Sequence, residues 1–324
     1  MKIEAISSQR KFAHQPFWDI VYEWEDDLSA KLHLPLCYSY VQLPGLWGKL
    51  VRRSGLLVEL LHSRKMMLEF VMGHYSYDQA ARRPNVVPCI IDYLLRSKID
   101  LQNFYRDYGR NPVVLISSRE AYSFLMENDC PLNIAHWALS LSDRYLIEPA
   151  TKFKKEYDCM IVGRANQILK NWMLRYADVH PGFSFVCKGK DGRYVSSRDE
   201  DLDDCFKTRD GYMQMLRKAK VGLYSTPSID AGRLDMNDFN QVTPRFLEYV
   251  ACGCRVIARY PDNPDTRYYE LPDLAPHVEA YEQFAAYMDQ ALEEPADMRK
   301  YAQYLQKHYT SIRAKELVRI LEVS

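Results

Sequence analysis

Arg245 and Glu248 stand three residues apart in the run Thr243-Pro244-Arg245-Phe246-Leu247-Glu248-Tyr249-Val250-Ala251-Cys252-Gly253. Thr suits an N-cap, Pro the first helical turn and Gly the residue that ends a helix. The spacing therefore predicts a short helix from Arg245 to Cys252, with Arg245 and Glu248 sharing one face at its start. A helix N-terminus offers unpaired N–H groups and a partial positive charge, and an arginine beside it adds fixed donors, a combination suited to a phosphate. A carboxylate on the same face can accept from the two hydroxyls of a ribose. The spacing fits an ordinary surface ion pair equally well. The segment before it carries Thr226, Pro227, Ser228, Asp230, Gly232, Arg233, Asp235, Asn237, Asp238 and Asn240 between Ser225 and Thr243. That connection is far longer than the usual ~2–6 residues, and loops of this kind are usually functional or disordered.

Elements that could position these residues recur along the whole chain. Lys2 to Ser7 reads as a strand, Ser8 to Gln15 as a polar loop and Phe17 to Leu32 as a helix with Trp18, Val21, Tyr22 and Trp24 among its apolar positions. Further apolar or β-branched runs follow at Leu36–Gln42, Met66–Met72, Val86–Ile91, Pro112–Ile116 and Leu132–Leu139. A second series begins near Tyr157: strand Cys159–Val162, helix Ala165–Ala177, strand Phe183–Val186, helix Asp210–Ala219 and strand Val221–Ser225. After the Arg245 helix come strand Cys254–Arg259, helix Tyr281–Leu292 and one long terminal helix from about Asp297 to Glu322. This alternation predicts α/β architecture with parallel sheets wrapped by helices. The polar, aperiodic stretch Asp143–Glu156 is the expected linker between two doubly wound domains.

Composition removes several function classes. The 324 residues are 47% hydrophobic, and 43 basic side chains balance 43 acidic ones, which is a globular composition without the net basic surface typical of duplex nucleic-acid binders. No apolar run is long enough to span a bilayer and Met1 to Arg10 lacks a secretory pattern, so a cytosolic protein is expected. The eight cysteines are scattered without a CxxC pair and read as reduced, mostly buried residues; the histidines show no HExxH spacing, and no protein-bound metal is expected. Asp201, Asp203 and Asp204 read as a solvated loop.

Residues 217–258 resemble the donor-binding half of group 1, family 4-like glycosyltransferases. Phe246 to Gly253 is similar to the family phrase "FEALACG", and Cys159-Met160-Ile161-Val162-Gly163-Arg164, with Lys170 six residues on, looks like the family's "VGR" strand end and lysine. The resemblance covers roughly residues 157–310. It implies the GT-B fold, two Rossmann-like doubly wound domains facing across a cleft: residues 1–145 for the acceptor, 146–305 for a nucleotide sugar, and 306–324 as a C-terminal helix packing back on the first domain. It further implies that Arg164, Lys170 and Arg245 offset charge on the departing nucleoside diphosphate, with no cofactor and no metal. Gly163, Tyr224, Thr226, Asn240, Thr243, Pro244 and Glu248 would line the donor site. Asn240 occupies the position where the family commonly has a first glutamate; Asp238 lies two residues away. An amide cannot act as a base, so neither a retaining nor an inverting course is assigned.

On the acceptor side, residues following strands in the first half should line the cleft: Lys11, Phe12 and His14, then Asp92, then Ser117, Ser118 and Arg119. His14 has the chemistry of a general base; Asp92 fits a base or a helix N-cap. His136 reads as a packed histidine. Basic residues outnumber acidic ones between Lys49 and Arg119, including Lys49, Arg52, Arg53, Arg64, Lys65, Arg82 and Arg83, beside Leu46, Trp47, Leu50, Leu56 and Leu57. Such a stripe would suit transient contact with an anionic membrane, or simply a solvated helix face.

The expected activity is sugar transfer from a nucleoside-diphosphate sugar to a saccharide or polyprenyl-linked saccharide, in surface polysaccharide assembly. The alternative is a non-catalytic nucleotide- or glycan-binding module of the same fold. A nicotinamide-dependent oxidoreductase is disfavoured because no GxGxxG follows the first strand of either half.

Overall fold

The computed structural model describes residues 1–11, 14–38, 65–73, 79–92, 98–231 and 239–323. The described strands are β1 (Ala5–Ser7), β2 (Leu36–Cys37), β3 (Met67–Val71), β4 (Val86–Ile90), β5 (Val114–Ile116), β6 (Ile134–His136), β7 (Tyr157–Met160), β8 (Phe185–Lys188), β9 (Tyr194–Ser196), β10 (Ala219–Ser225) and β11 (Arg255–Arg259). The described helices are α1 (Asp19–Leu32), α2 (Lys98–Tyr108), α3 (Arg119–Glu127), α4 (Gln167–Val179), α5 (Arg209–Arg217), α6 (Pro244–Ala251), α7 (Pro264–Tyr268), α8 (Leu271–Leu274), α9 (Tyr281–Glu293), α10 (Met298–Leu305) and α11 (Thr310–Val323).

The strands form two sheets. The first has order β2-β1-β3-β4-β5-β6 and is parallel throughout. Every residue of β3 and β4 is buried, which explains why both read as near-continuous apolar runs rather than alternating ones. The second has order β11-β10-β7-β8-β9, parallel except for the β8–β9 pair. In each sheet the chain reverses its direction of growth once, between β1 and β3 and between β7 and β10. Parallel sheets gather ligands outside the carboxyl ends of strands at such a point.

Two features differ from the sequence expectation. The long terminal helix is two helices, α10 and α11, broken over residues 306–309. There the Leu141 N–H donates to the His308 carbonyl at 2.9 Å and the Thr310 N–H donates to the Leu141 carbonyl at 2.9 Å. The break returns the chain to the first half, where Ala314, Leu317 and Leu321 of α11 join Ile3, Val21, Trp24 and Leu28 in one core. Strand β9 was also not expected: its three residues are too few to show a period, and it exists by pairing with β8.

Candidate functional site

The carboxyl end of β7 leads into Gly163, whose φ of +67° is a left-handed conformation that L side chains rarely adopt. A Cβ there would overlap Arg245 Nη2, so the guanidinium from the first turn of α6 lies directly on the Gly163 backbone. Arg245 Nη1 donates to the Arg164 carbonyl at 3.3 Å. The Gly163 N–H donates to the Tyr194 hydroxyl at 2.6 Å, and Tyr194 is stacked on Phe206. Lys188, at the end of β8, places Nζ 5.1 Å from the Tyr194 ring centre, and its carbonyl accepts from Lys170 Nζ at 2.6 Å. Asn166 caps the start of α4 through the Leu169 N–H. Arg164, exposed, completes the group. Gly163, Arg164, Lys170 and Arg245 are thus brought together at the switch point of the second sheet. Lys188 and Tyr194 join them; Lys188 ends a strand, a signal available in the sequence, whereas Tyr194 belongs to the unforeseen β9. Among the described residues no carboxylate lies within ion-pair distance of Lys170, Lys188 or Arg245.

Glu248, one turn further along α6, is buried. Its Oε1 is 2.6 Å from Arg209 Nη1 and its Oε2 accepts from the Tyr212 hydroxyl at 2.7 Å. A carboxylate has about four lone-pair directions, so these contacts leave capacity for two hydroxyl donors. Arg209 begins α5 and is also bound through Nε to Glu23 Oε2 of α1 at 3.1 Å. Glu23 further accepts from Tyr145 and, at 3.2 Å, from Arg144. Burial raises the Glu23 pKa, while the nearby Arg209 acts in the opposite direction.

The loop before α6 is held from within. Asn240 Oδ1 accepts from Thr226 Oγ1 at 2.8 Å and from the Ser228 N–H at 3.1 Å. Tyr224 is fully buried, and its hydroxyl accepts from the Thr243 N–H at 3.0 Å, fixing the residue that precedes Pro244. Tyr224, Thr226 and Asn240, expected to line the donor site, are instead engaged in holding this loop and α6: β10 is an interior strand of its sheet, and the ring of Tyr224 packs against Phe246. Pro244 takes the first helical position of α6. Asp238 lies outside the described residues.

The acceptor-side candidates are dispersed. Lys11 Nζ is buried 2.8 Å from Glu69 Oε1 and donates to Ser7 Oγ, so its charge is spent inside the first half rather than offered to a cleft. His14 is exposed and 2.8 Å from Asp19 Oδ1. Asp92 is half-buried just beyond β4, and Phe12 lies outside the described residues. Ser117 donates to the Ile91 carbonyl and accepts from Gln241 Nε2 at 2.9 Å. The N-terminus of α3 is filled by Asp265 of α7, which accepts from Ser118 Oγ (2.6 Å), the Arg119 N–H (3.0 Å) and the Glu120 N–H (2.8 Å). Burial pushes the Asp265 carboxyl up to about 6. Glu120 in turn accepts from the Asn240 N–H and Asn263 Nδ2. Ser117 and the backbone of Arg119 thus belong to a clasp between the two halves, formed across more than a hundred residues of chain. His136 is half-buried with its ring edge-to-face against Tyr268, and its pKa falls to about 3 chiefly through desolvation.

Of the basic stripe, Lys65, Arg82 and Arg83 are described, and Arg82 pairs with Asp107 at 3.0 Å; Lys49, Arg52, Arg53 and Arg64, with Leu46, Trp47, Leu50, Leu56 and Leu57, lie outside the described residues. Among the described residues no helix is long and apolar enough to cross a membrane. A cavity of about 820 Å³ lies among Phe153, Lys155, Gly253, Arg255 and Met298, at the opposite end of α6 from Arg245.

Comparison with known proteins agrees with this geometry. A family model described as "Glycosyl transferase-like" matches residues 144–319, just over half of the chain. No curated protein sequence matches. Among solved structures, the chain is similar to AviGT4, a glycosyltransferase involved in avilamycin A biosynthesis (13% identity, 95% of this chain and 90% of that one, TM-score 0.54). It is similar to a Listeria monocytogenes protein provisionally named as a UDP-N-acetylglucosamine 2-epimerase (10% identity, 99% and 96%, TM-score 0.55). It is also similar to the pneumococcal O-GlcNAc transferase GtfA, solved with UDP and GlcNAc (11% identity, TM-score 0.50), covering 84% of this chain but only 59% of GtfA. At these identities the likeness is one of fold: GT-B, with two Rossmann-like domains.

Proposed function

The chain belongs to the glycosyl transferase-like family, and from that premise we propose that it moves a sugar from a nucleoside-diphosphate sugar to a saccharide or lipid-linked saccharide acceptor, in surface polysaccharide assembly. The bond from the anomeric carbon to the diphosphate oxygen breaks, and its electron pair stays on that oxygen. An acceptor hydroxyl bonds to the anomeric carbon and gives up its proton. The observation that carries this reading is that Arg245, Lys170 and Lys188 gather near Gly163 with no carboxylate in ion-pair contact among the described residues. Arg245, Arg164, Lys170 and Lys188 suit the charge that grows on the leaving diphosphate, because donors already in place need no reorganisation when the bond breaks. Glu248, steadied by Arg209 and Tyr212, suits the ribose hydroxyls. In this reading the protein's own cations do the work assigned elsewhere to a metal, and any membrane contact is transient. Thermal-shift screening with nucleoside diphosphates, followed by assays for release of nucleoside diphosphate from matching nucleotide sugars, tests it. Slow hydrolysis or transfer supports an enzyme. Binding with no turnover on any donor and acceptor would favour a nucleotide-binding module of the same fold.

A further inference from the structure

The guanidinium of Arg209 lies between two buried carboxylates that come from different halves of the molecule. Nε meets Glu23 of α1 at 3.1 Å and Nη1 meets Glu248 of α6 at 2.6 Å, with side-chain exposures of 14%, 6% and 5% for Arg209, Glu23 and Glu248. Its Cζ lies 5.4 and 5.3 Å from the ring centres of Tyr145 and Tyr212. Burial works against its charge, and the carboxylates of Glu248 and Glu23 more than offset that effect, holding its pKa above the ordinary arginine value. A rigid fork can satisfy two carboxylates at once, which a single ammonium cannot do in the same geometry. Neither contact can shift without moving the other.

We infer that Arg209 is a positioning residue that makes nucleotide binding at Glu248 depend on Glu23 in the other half of the molecule. The inference rests on the donor-site reading of Glu248. Glu23 sits on α1, and its own remaining partners are Tyr145 and Arg144 of the segment joining the two sheets. A movement of α1 relative to the second sheet would therefore pull on Arg209 and rotate the Glu248 carboxylate away from the ribose hydroxyls. By linkage, a nucleotide that fixes Glu248 would favour the arrangement in which Glu23, Arg209 and Glu248 are all engaged.

The test is a double-mutant cycle on nucleotide affinity, measured by titration calorimetry with whichever of UDP, GDP, ADP, CDP or dTDP binds the wild-type chain most tightly. Glu23→Gln keeps an acceptor for Tyr145 but removes the charge that holds Arg209 Nε; Kd should rise about fivefold. In a Glu248→Gln background the same change should alter Kd less than twofold. Arg209→Lys keeps the charge but loses the fork, so it should weaken binding as Glu23→Gln does and leave Glu23→Gln nothing further to remove. A merely structural role for Glu23 would lower stability in urea equally in every background and would not produce that non-additivity. If nucleotide binds and Glu23→Gln leaves Kd within twofold of wild type, or weakens it equally in both backgrounds, the coupling is overturned while the donor site stands. If no nucleoside diphosphate binds the wild-type chain, the donor-site reading itself fails and the coupling falls with it.

Discussion

The two switch points have the same topology and opposite electrostatics. In the first sheet, the ends of β1 and β3 are closed by internal pairing: Lys11 with Glu69, and Glu25 with Ser8 Oγ and the Gln9 N–H. In the second, Arg245, Lys170 and Lys188 gather near Gly163 with no carboxylate in ion-pair contact among the described residues; Glu248 acts on Arg245 only from one turn away. Topology offers two equivalent places for a ligand; charge left uncompensated singles out one. A buried pair repays its own desolvation and has little to give a third party, whereas a cation group facing backbone carbonyls is ready for an anion.

The sharpest way to break this contrast is to open the closed point. Lys11→Met leaves Glu69 buried without its cation and should destabilise the protein by about 3–5 kcal/mol in urea unfolding, while nucleoside-diphosphate affinity of the surviving folded fraction stays unchanged. A loss of binding as large as the loss of stability would show that the two points are not independent. The reverse change is Arg245→Ala, which should lower kcat/KM roughly 100- to 1000-fold, as for a lost oxyanion-type donor, with a stability change under about 1 kcal/mol. Kinetics and urea unfolding on the same preparation separate the two.

The clasp between the halves sharpens the comparison through pH. Asp265 titrates near 6 in the folded protein and at about 3.9 when unfolded. The folded state therefore holds the proton more tightly, and this group's contribution to stability is fully present below about pH 4 and lost as pH rises through 6. The shift corresponds to about 3 kcal/mol. Asp265→Asn should remove that part of the pH dependence; wild-type and variant unfolding curves that stay parallel from pH 4 to 7 would refute it. The smallest effect is expected at Lys188: Lys188→Ala should raise the nucleoside-diphosphate Kd about tenfold at low salt and less at high salt, because screening weakens a half-exposed contact.

Much of the site was legible because it depends on local signals. The Thr243-Pro244 start and Gly253 stop fix α6, and the three-residue step from Arg245 to Glu248 fixes their shared face. Gly163 and Arg164 follow a strand and Lys188 ends one, although no family phrase marks Lys188. What could not be read were inward turns and distant partners. Tyr224 looks like any strand-end tyrosine until the sheet places β10 in its interior, between β11 and β7. Ser118 and Arg119 look like an open helix start until Asp265, about 147 residues away, fills it.

The sequence by itself determined most of the order of elements, the predominantly parallel α/β architecture and the chemistry available on α6, because hydrophobic period and helix-end residues act over a few positions. Only the tertiary structure decided which charges cancel and which remain. Lys11 meets Glu69, and Arg209 meets Glu23 across 186 residues of chain, while Lys170, Lys188 and Arg245 are gathered with no carboxylate in ion-pair contact among the described residues. Coulomb interactions follow distance in space, and separation along the chain does not fix that distance.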